Sequence, residues 1–467
     1  MTVMDESLSA ALDYIPRWLE FQLRHTDQPG CVVAAAVGGE IVLEEAFGVA
    51  DIDTGETLTP RHRFRVASHS KSFTAAAVMK LREQGRLKLD DPAGQYVDGL
   101  HPAVAEVTIA QLLSHSAGLV RDGADASHFS DRRPFPNERE LRADLAEAPP
   151  IAPNTRFKYS NHGFGLVGLI IEAVTGEPYR VVVQREIVDA AGLGETQPDM
   201  PITGGAAMAR GHSAKLPLGR RVVIPGDNPT NAWASAGGFV STAADLARFY
   251  GQLDPAAARS VLAVASRREM TRQHWRDVYS SVERQYGLGI MRGKVADCGW
   301  FGHGGAFQGF ISQTVVVPTH GVTVSILTNT IERIANAWAD GVMHIISGFA
   351  RRGPPEDGIR NWTGRWWNLW YPLDLLPMGD RVLVANPALL NPFADASELE
   401  ITGANEGRIA LAAAMANHGE PVRRVRGAEG EVEEVWLGGN RLLPEPRIAA
   451  ELEERYGTKP DRDSRQQ

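Results

Sequence analysis

The chain of 467 residues has only two cysteines, Cys31 and Cys298, which is too few for a disulfide framework. Cys31 opens the apolar run CVVAAAV, which is typical of a buried strand. The sequence also lacks the ~20 consecutive apolar residues that span a bilayer. Its N-terminus carries Asp5 and Glu6 where a signal peptide has basic residues. These absences predict a cytoplasmic protein that does not cross a membrane.

Positive charge is scarce as well. Lysine and arginine total 48 against 57 aspartates and glutamates, so the formal net charge is -9. Proteins that bind nucleic acid or anionic membranes do so with a basic face, and the sequence shows no cluster of basic residues that would form one. We therefore expect a small-molecule or peptide substrate as the partner. The sequence leaves the oligomeric state open, with a homo-oligomer among the alternatives.

Several catalytic motifs are missing. The thirteen histidines show no HExxH pattern or clustered metal spacing, and no GxSxG segment occurs. GFGLVG at residues 163–168 matches GxGxxG, but no strand precedes it, so close helix packing explains these glycines better than dinucleotide binding. The sequence thus predicts no metal and no cofactor.

Two segments have the pattern of β-hairpins. Residues 31–51 contain two apolar, β-branched runs joined at Gly38-Gly39, a dipeptide that suits a tight turn. Residues 310–329 repeat the pattern, and residues 331–348 then follow helical periodicity.

The chain between these hairpins is mostly helical in pattern. Helices are predicted over residues 70–84 and 162–175, each followed by a glycine, and after the cap Thr242-x-x-Asp245. Strands at both ends and helices in the middle indicate an α/β (α+β) fold, with one antiparallel sheet flanked by helices plus a helical subdomain.

A second domain is predicted after GPPEDG, residues 353–358, whose prolines and glycines are typical of a linker. Four of the ten tryptophans follow in NWTGRWWNLWYP, and short apolar runs then alternate with turns. Residues 1–352 would form the main domain, and residues 359–467 a small all-β barrel or sandwich. The tryptophans fit a barrel core and seam better than a ligand pocket.

The stretch RVASHSKSFTAAAVMKL carries the first chemical signal. Ser68 and Lys71 are three residues apart, so on a helix they share a face and lie close enough to exchange a proton. FTAAAVMKL is apolar nearly all round, which predicts a buried helix. Burial would hold Lys71 partly deprotonated, and the helix N-terminus would favour negative charge on Ser68.

Two further stretches supply polar groups for the same chemistry. FKYSNHGFG offers Tyr159, a phenol that could relay a proton, and Asn161, an amide that could hold a substrate. WFGHGGAFQGF offers His303, Gly304 and Gly305 ahead of an apolar strand, where the glycines leave room for a substrate along the strand edge.

Together, Ser68-x-x-Lys71, Tyr159-x-Asn161 and His303-x-Gly305 resemble the three signature motifs of the penicillin-recognising serine hydrolases. LLSHSAGL and GGFVSTAADLARF are also similar to stretches of this family's class C β-lactamase branch, with its D-aminopeptidases, esterases and β-lactamase-like peptidases. The resemblance covers roughly residues 15 to 350 and implies a β-lactamase/transpeptidase-like fold. The C-terminal part resembles the lipocalin-like domain that some members append.

The resemblance implies a role for each matching residue. Ser68 would be the acylated nucleophile and Lys71 its general base, while Tyr159 would pass a proton to the leaving group. Which of Lys71 and Tyr159 is the acylation base is disputed for relatives. Asn161 would bind the substrate amide, and the backbone N–H groups of Ser68 and Ala306 would hold the oxyanion. His303 would join the catalytic residues, and Gly305 would lie beside Ala306 against the substrate.

One departure from the family bears on the substrate. β-Lactamases and cell-wall carboxypeptidases usually carry Lys-Thr-Gly where this chain has His303-Gly304-Gly305. An imidazole of pKa about 6.5 is mostly neutral at pH 7 and binds a carboxylate poorly. This departure disfavours β-lactams and free D-Ala-D-Ala termini as natural substrates, and it favours amides, peptides read from the amino end, or esters. We therefore expect an amidase or peptidase for small or D-configured peptides, with esterase side activity. A carboxylesterase, an acyltransferase or a peptide cyclase of the same fold are the alternatives.

Several other polar residues are interpreted without a catalytic role. His115, His69 and His162 are interpreted as structural histidines. Residues 120–150 are either a solvated surface excursion or a rim that sets substrate choice, and there Arg132 and Arg133 are candidates for contacting an acidic substrate group.

Two rival functions remain from other classes. The chain could be a non-catalytic binding protein on the same fold, although a protein without activity would be expected to have lost Ser68, Lys71 or Tyr159. Alternatively, the C-terminal module could be the ligand binder and the main domain its scaffold.

Overall fold

The computed structural model describes residues 5–281, 284–413 and 416–457. Contacts group these residues into two compact units, the first containing residues 26–339 and the second residues 5–25 and 340–457. The boundaries predicted from the sequence, with a linker at 353–358, instead assign the first helix and residues 340–352 to the main domain, and they stay a prediction.

The α-helices of the described residues follow in chain order: α1 (Glu6–His25), α2 (Ser70–Glu83), α3 (Pro102–Ala105), α4 (Ile109–Leu113), α5 (Glu138–Leu145), α6 (Asn161–Thr175), α7 (Tyr179–Val183), α8 (Ala243–Leu253), α9 (Val264–Thr271), α10 (Ile334–Arg352) and α11 (Glu445–Tyr456).

The strands of the first unit are β1 (Gly30–Val37), β2 (Glu40–Asp51), β3 (Glu56–Thr57), β4 (Phe64–Arg65), β5 (Gly211–His212), β6 (Val223–Ile224), β7 (Val240–Ser241), β8 (Trp275–Asp277), β9 (Arg284–Tyr286), β10 (Met291–Val295), β11 (Cys298–Phe307), β12 (Phe310–Val317) and β13 (Val322–Thr328). Those of the second unit are β14 (Gly364–Trp367), β15 (Pro372–Met378), β16 (Arg381–Ala385), β17 (Ser397–Ile401), β18 (Glu406–Leu411), β19 (Pro421–Arg426), β20 (Val432–Leu437) and β21 (Asn440–Leu442).

An antiparallel sheet forms the centre of the first unit. Nine strands follow the order β3-β2-β1-β13-β12-β11-β10-β9-β8, so the N-terminal hairpin pairs with strands almost three hundred residues further along the chain. Gly38 and Gly39 both have positive φ, 60° and 90°, as the tight turn between β1 and β2 requires. This sheet confirms the predicted fold class.

The helices begin and end at the residues that the sequence marks. Gly176 at the end of α6 has a φ of 73°, a left-handed conformation that glycine adopts without strain. Ser160 caps the start of α6 by accepting a hydrogen bond from the Gly163 N–H, and Thr242 caps α8 in the same way with Asp245. These caps fix the entry of α6, which places the residues just before it.

A stack of aromatic rings anchors α2 in the core. The Phe73 ring lies 3.8 Å from that of Phe249 on α8 and 4.4 Å from that of Phe239, measured between centroids. Helix α8 packs in turn on β1 and β13. Because the Phe73 side chain is fully buried, the helix that carries Lys71 is held rigidly beneath the site.

The second unit contains an eight-stranded antiparallel sheet in sequential order from β14 to β21. Trp367 and Leu443 exchange two backbone hydrogen bonds of 2.7 and 2.8 Å, which bring the two edges together into a nearly closed barrel. Trp362 and Trp366 lie in its core, as predicted, while Trp370 is 82% exposed. Within this unit, the Tyr14 hydroxyl of α1 donates to Asp374, which also pairs with Arg365.

None of the helices in the described part of the chain combines the length and the apolar character that crossing a bilayer requires.

Candidate active site

Ser68 lies in a short 3-10 turn, Ala67–His69, that leads directly into α2. The preceding residue, Ala67, has a φ of 47°, a left-handed conformation that is uncommon for residues other than glycine. Strained backbone of this kind is concentrated at functional sites. Ala67 and His69 are buried while Ser68 is partly exposed, so the turn presents this hydroxyl alone to the solvent side.

The Lys71 side chain is fully buried and lies beneath Ser68. Its Nζ is 3.2 Å from the Ser68 Oγ, 2.7 Å from the Asn161 Oδ1 and 2.7 Å from the Ala236 carbonyl oxygen. Burial lowers the pKa of Lys71 well below its usual range, with Asp122 opposing the shift and Arg121 adding to it. When Lys71 is deprotonated, its two hydrogens can serve the Asn161 and Ala236 oxygens, and its lone pair can then accept the Ser68 proton.

The Ala236 carbonyl comes from a π-helical turn, Ala234–Gly238, that precedes β7. Wide turns of this type do not form the usual α-helical bonds, so a carbonyl can turn towards another group. The Ser235 hydroxyl donates to the Phe164 carbonyl and fixes the turn on α6. This acceptor is a backbone atom, and no residue pattern in the sequence marks it.

The Tyr159 hydroxyl lies 3.0 Å from the Ser68 Oγ, on the segment that enters α6. Burial raises the pKa of Tyr159 to about 12, against smaller opposing effects of the Ser68 hydrogen bond and Arg121. The phenol is therefore protonated at neutral pH and serves as a donor. Ser68 is thus contacted by an amine of lowered pKa and by a protonated phenol.

Asn161 connects the buried lysine to an acidic residue. Its Oδ1 accepts from Lys71, and its Nδ2 donates to the Asp122 Oδ1 across 2.6 Å. The Asn161 N–H also donates to the Arg121 carbonyl across 2.9 Å. One lone pair and one N–H of the amide remain for a substrate.

Gly305 lies where β11 passes close to the nucleophile turn. A Cβ at this position would be 2.1 Å from the Val66 carbonyl oxygen and 2.6 Å from the Ser312 Oγ, so only glycine permits this approach. The structure therefore brings β11 within contact of the residues that precede Ser68.

Ala306 is exposed on the same strand. The loop after β11 closes on the pair Phe307–Phe310, and hydrogen-bonded pairs alternate along an antiparallel ladder, so the Ala306 N–H points away from β12. Strand β10 pairs with β11 only as far as Gly302. The Ala306 N–H therefore points away from β12, beyond the end of the pairing with β10, on the strand where an oxyanion donor is predicted.

His303 is buried and neutral. Its Nε2 accepts from the Tyr286 hydroxyl across 2.9 Å, and its Nδ1 donates to the Gly304 carbonyl across 2.7 Å. Burial lowers the pKa of His303 well below its usual range, with His69 and Lys71 adding to the shift. Among the described residues it makes no hydrogen bond to Ser68, Lys71 or Tyr159, so it adjoins the predicted catalytic group without being bonded to it.

His115 has the hydrogen-bonded, structural position that the sequence suggests. Its Nδ1 accepts from the Ser160 N–H across 3.2 Å, and its ring packs 4.1 Å from that of Tyr159. His69 bonds to Val66 and Thr314, and His162 pairs with Asp144.

Sequence reasoning missed four contributors to the site: Arg121, Asp122, Ala236 and Tyr286. Arg121 and Asp122 directly follow LLSHSAGLV, and a pair of opposite charges after an apolar run could have drawn attention to them. The predicted Arg133, by contrast, pairs with Glu140 and Asp125. No group of three histidine, cysteine or acidic side chains in the described ranges is arranged to hold a metal ion.

Comparison with known proteins agrees with this geometry. The family model described as Beta-lactamase matches residues 17–339. The chain belongs to the beta-lactamase family. Membership agrees with the prediction of a serine hydrolase.

The relatives that this chain resembles differ in how much of it they cover. Penicillin-binding protein 4 of Amycolatopsis lactamdurans is 30% identical over 314 residues, 64% of this chain and 81% of the relative. Protein flp of Staphylococcus aureus is 28% identical over 169 residues, 35% of this chain, so the chain spans about a third (34%) of that relative's length.

Solved structures share the fold. The octameric penicillin-binding protein homologue from Pyrococcus abyssi has a TM-score of 0.66 at 21% identity, covering 92% of this chain and 99% of that one. The D-stereospecific amidohydrolase from a Streptomyces species has a TM-score of 0.58 at 27% identity, covering 69% of this chain and 94% of that one.

Proposed function

We propose that this protein is a serine hydrolase that works through an acyl-enzyme. The observation that carries the proposal is the placement of the Ser68 Oγ within hydrogen-bond reach of both the buried Lys71 amine, whose pKa is lowered, and the protonated Tyr159 phenol. Lys71 takes the Ser68 proton as the Oγ attacks the substrate carbonyl. Tyr159 donates its proton to the leaving nitrogen or oxygen when the scissile bond breaks. Water then attacks the acyl-enzyme and gives a proton to the Tyr159 phenolate, and Lys71 returns its proton to the Ser68 Oγ as the acid product leaves.

The remaining predicted residues would serve the substrate. Asn161 holds Lys71 and offers its free N–H or lone pair to the substrate amide. The backbone N–H groups of Ser68 and Ala306 stabilise the oxyanion, with Gly305 providing the close approach. Such donors contribute about 3 kcal/mol each in the transition state. His303 lies on the same strand as a neutral group, and it accepts a hydrogen bond from the Tyr286 hydroxyl.

The substrate class we propose is a small or D-configured peptide or amide, with esterase activity as a side reaction. A neutral His303 at the position of the family's usual lysine leaves β11 without a fixed cation, which disfavours β-lactams. The similarity to a D-stereospecific amidohydrolase at 27% identity supports an amide substrate. An amine in place of water would make the same acyl-enzyme a transferase or cyclase.

We place the chain in the class C-like branch, with a catalytic domain at 1–352, a linker at 353–358 and a lipocalin-like domain at 359–467. Homo-oligomer formation is part of the proposal, supported by an octameric homologue of the same fold.

The test is covalent labelling. Intact mass after incubation with a fluorophosphonate should show one adduct on the wild type and none on Ser68→Ala, with turnover of D-alanine p-nitroanilide or p-nitrophenyl butyrate by the wild type. If the wild type gains no adduct and turns over neither substrate, the hydrolase proposal is wrong and the binding-protein alternative replaces it.

A further inference from the structure

A cleft of about 420 Å³ lies in the first unit, where the end of α8, helix α9 and the strands β10 and β11 meet. Its apolar walls are formed by Pro255, Ala256, Phe301 and Pro318. None of its described lining residues belongs to the candidate active site. It is therefore a separate cavity, of a size that holds a small organic molecule.

Two arginines line this cleft, and neither forms an ion pair within the described part of the chain. Arg268 on α9 is exposed. Arg292 on β10 is half-buried, and its NH1 donates to the Thr271 carbonyl at the end of α9. That bond satisfies a terminal carbonyl of the helix, and it leaves the Arg292 Nε buried without a partner. Both guanidinium charges thus lack a counter-charge.

The electrostatics of Arg292 agree with this. Burial lowers the pKa of Arg292, and no carboxylate of the described residues opposes the shift. A half-buried guanidinium without a counterion is unfavourable, because folding has removed part of its hydration. An anion in the cleft would supply the missing charge.

The segment at residues 254–257, which forms one wall of the cleft, is fixed in position. The buried Arg267 side chain donates to the Ala257 carbonyl across 3.0 Å and also to the Asp254 carbonyl. The Asp254 Oδ1 accepts from the Ala256 N–H across 2.8 Å. The cleft is therefore pre-formed, and a ligand would not have to order this segment on binding.

The lining side chains also limit the charge of a ligand. They carry two positive charges, on Arg268 and Arg292, and one negative charge, on Asp254. A balance of one positive charge suits a monoanion, whereas a dianion such as inorganic phosphate would be repelled more strongly by Asp254.

We propose that this cleft binds an organic monoanion, a carboxylate attached to a small apolar or aromatic body. The carboxylate accepts hydrogen bonds from Arg268 and Arg292, whose planar forks suit a pair of oxygens. The apolar body packs on Phe301 and Pro318. This inference goes beyond the proposed function and does not depend on it.

The experiment is a calorimetric titration of the full wild-type chain at low ionic strength with sodium benzoate, benzamide and inorganic phosphate. Benzoate has both the charge and the aromatic body, benzamide lacks the charge, and phosphate lacks the body. We expect benzoate to bind about tenfold more tightly than either, the size of a charge-assisted hydrogen bond at a partly exposed site. Added salt should weaken benzoate binding, because exposed charges are screened.

Variants locate the binding. Arg268→Gln and Arg292→Gln should each weaken benzoate binding by about tenfold. Because Arg292 also bonds to the end of α9, Ala256→Phe provides a second test that fills the cleft without removing a charge, and it should prevent binding. Arg259→Gln is the matched control, since Arg259 is an exposed arginine between α8 and α9 that does not line the cleft. Circular dichroism melting identifies the variants that are folded.

A preference for benzoate that is lost in the folded cleft variants and kept in Arg259→Gln supports the inference. Three results would overturn it: no binding of benzoate to the wild type, equal binding of benzamide or phosphate, or wild-type affinity in any folded cleft variant. The fluorophosphonate reaction of Ser68 tests the hydrolase proposal separately, because none of these measurements uses that hydroxyl.

Discussion

The side-chain nitrogen of Lys71 lies 2.7 Å from the amide oxygen of Asn161, although the two residues are 90 positions apart in the chain. This contact and the equally short one to the Ala236 carbonyl hold the amine 3.2 Å from the Ser68 Oγ. Asn161 therefore acts on the nucleophile through Lys71 as well as on any substrate.

Replacing Lys71 with arginine should slow the acylation of Ser68 by about 10²- to 10⁴-fold, since arginine keeps its proton and cannot act as a general base. The second-order rate of fluorophosphonate labelling, followed by intact mass, measures the effect. Lys80→Arg is the control, because Lys80 is on the same helix and donates to the Val261 carbonyl, remote from Ser68 in sequence and bonding. If Lys71→Arg is labelled at the wild-type rate, a group other than Lys71 is the base.

Removing the Tyr159 hydroxyl should distinguish amides from activated esters. We expect Tyr159→Phe to lower kcat/KM for D-alanine p-nitroanilide by about a hundredfold or more, because the leaving nitrogen needs a proton. p-Nitrophenolate leaves without one, so p-nitrophenyl butyrate should be affected much less. Equal losses on the two substrates would mean that Tyr159 acts before the leaving group departs.

The pH dependence of acylation should follow the ionisation of Lys71. The base works only when deprotonated, so kcat/KM should rise as pH rises through its folded-state pKa. Asp122 raises that pKa, and removing its charge should lower it. Asp122→Asn, which keeps an oxygen for the Asn161 amide, should thus shift the acid limb of the profile to lower pH.

Asp125→Asn is the control for this shift. Asp125 lies in the same segment, where its carboxylate accepts from the Ser127 backbone N–H and pairs with Arg133. The acid limb of this variant should coincide with that of the wild type. If the acid limb of the kcat/KM profile of Asp122→Asn moves to higher pH or stays in place, Lys71 is not the titrating group.

Gly305→Ala should damage the site by moving β11. The added Cβ would meet the Val66 carbonyl oxygen at 2.1 Å, so the strand or the nucleophile turn must shift. A displacement of about 1 Å costs on the order of a hundredfold in rate. Gly299→Ala on the same strand has no atom within 4 Å of the added Cβ and should leave the labelling rate unchanged. If Gly305→Ala is labelled by the fluorophosphonate at the wild-type rate, the close approach of β11 to the Val66 carbonyl is not needed for the reaction.

The central elements of the fold were predictable from local patterns. Paired glycines mark the turn between β1 and β2, and capping residues and terminal glycines mark α6 and α8, because these features depend on backbone conformations that few residues adopt. The hairpins at the two ends of the predicted main domain also indicated one sheet. Which strands lie next to one another was not encoded locally, since the pairing of β1 with β13 depends on how distant apolar surfaces meet.

The candidate site likewise contains some contacts that the sequence predicts and others that only the folded structure reveals. The sequence by itself determined that Ser68 and Lys71 share a helical face, because their spacing alone sets that relation. Only the tertiary structure decided that Lys71 is oriented by Asn161 and a backbone carbonyl, that Asp122 and Arg121 border Tyr159, and that His303 bonds to Tyr286. Some of these contacts join segments far apart in the chain, and others use backbone atoms that every residue possesses. No local residue pattern can therefore predict them. Burial then sets the protonation states, because the pKa of a side chain depends on the solvent and charges that folding places around it.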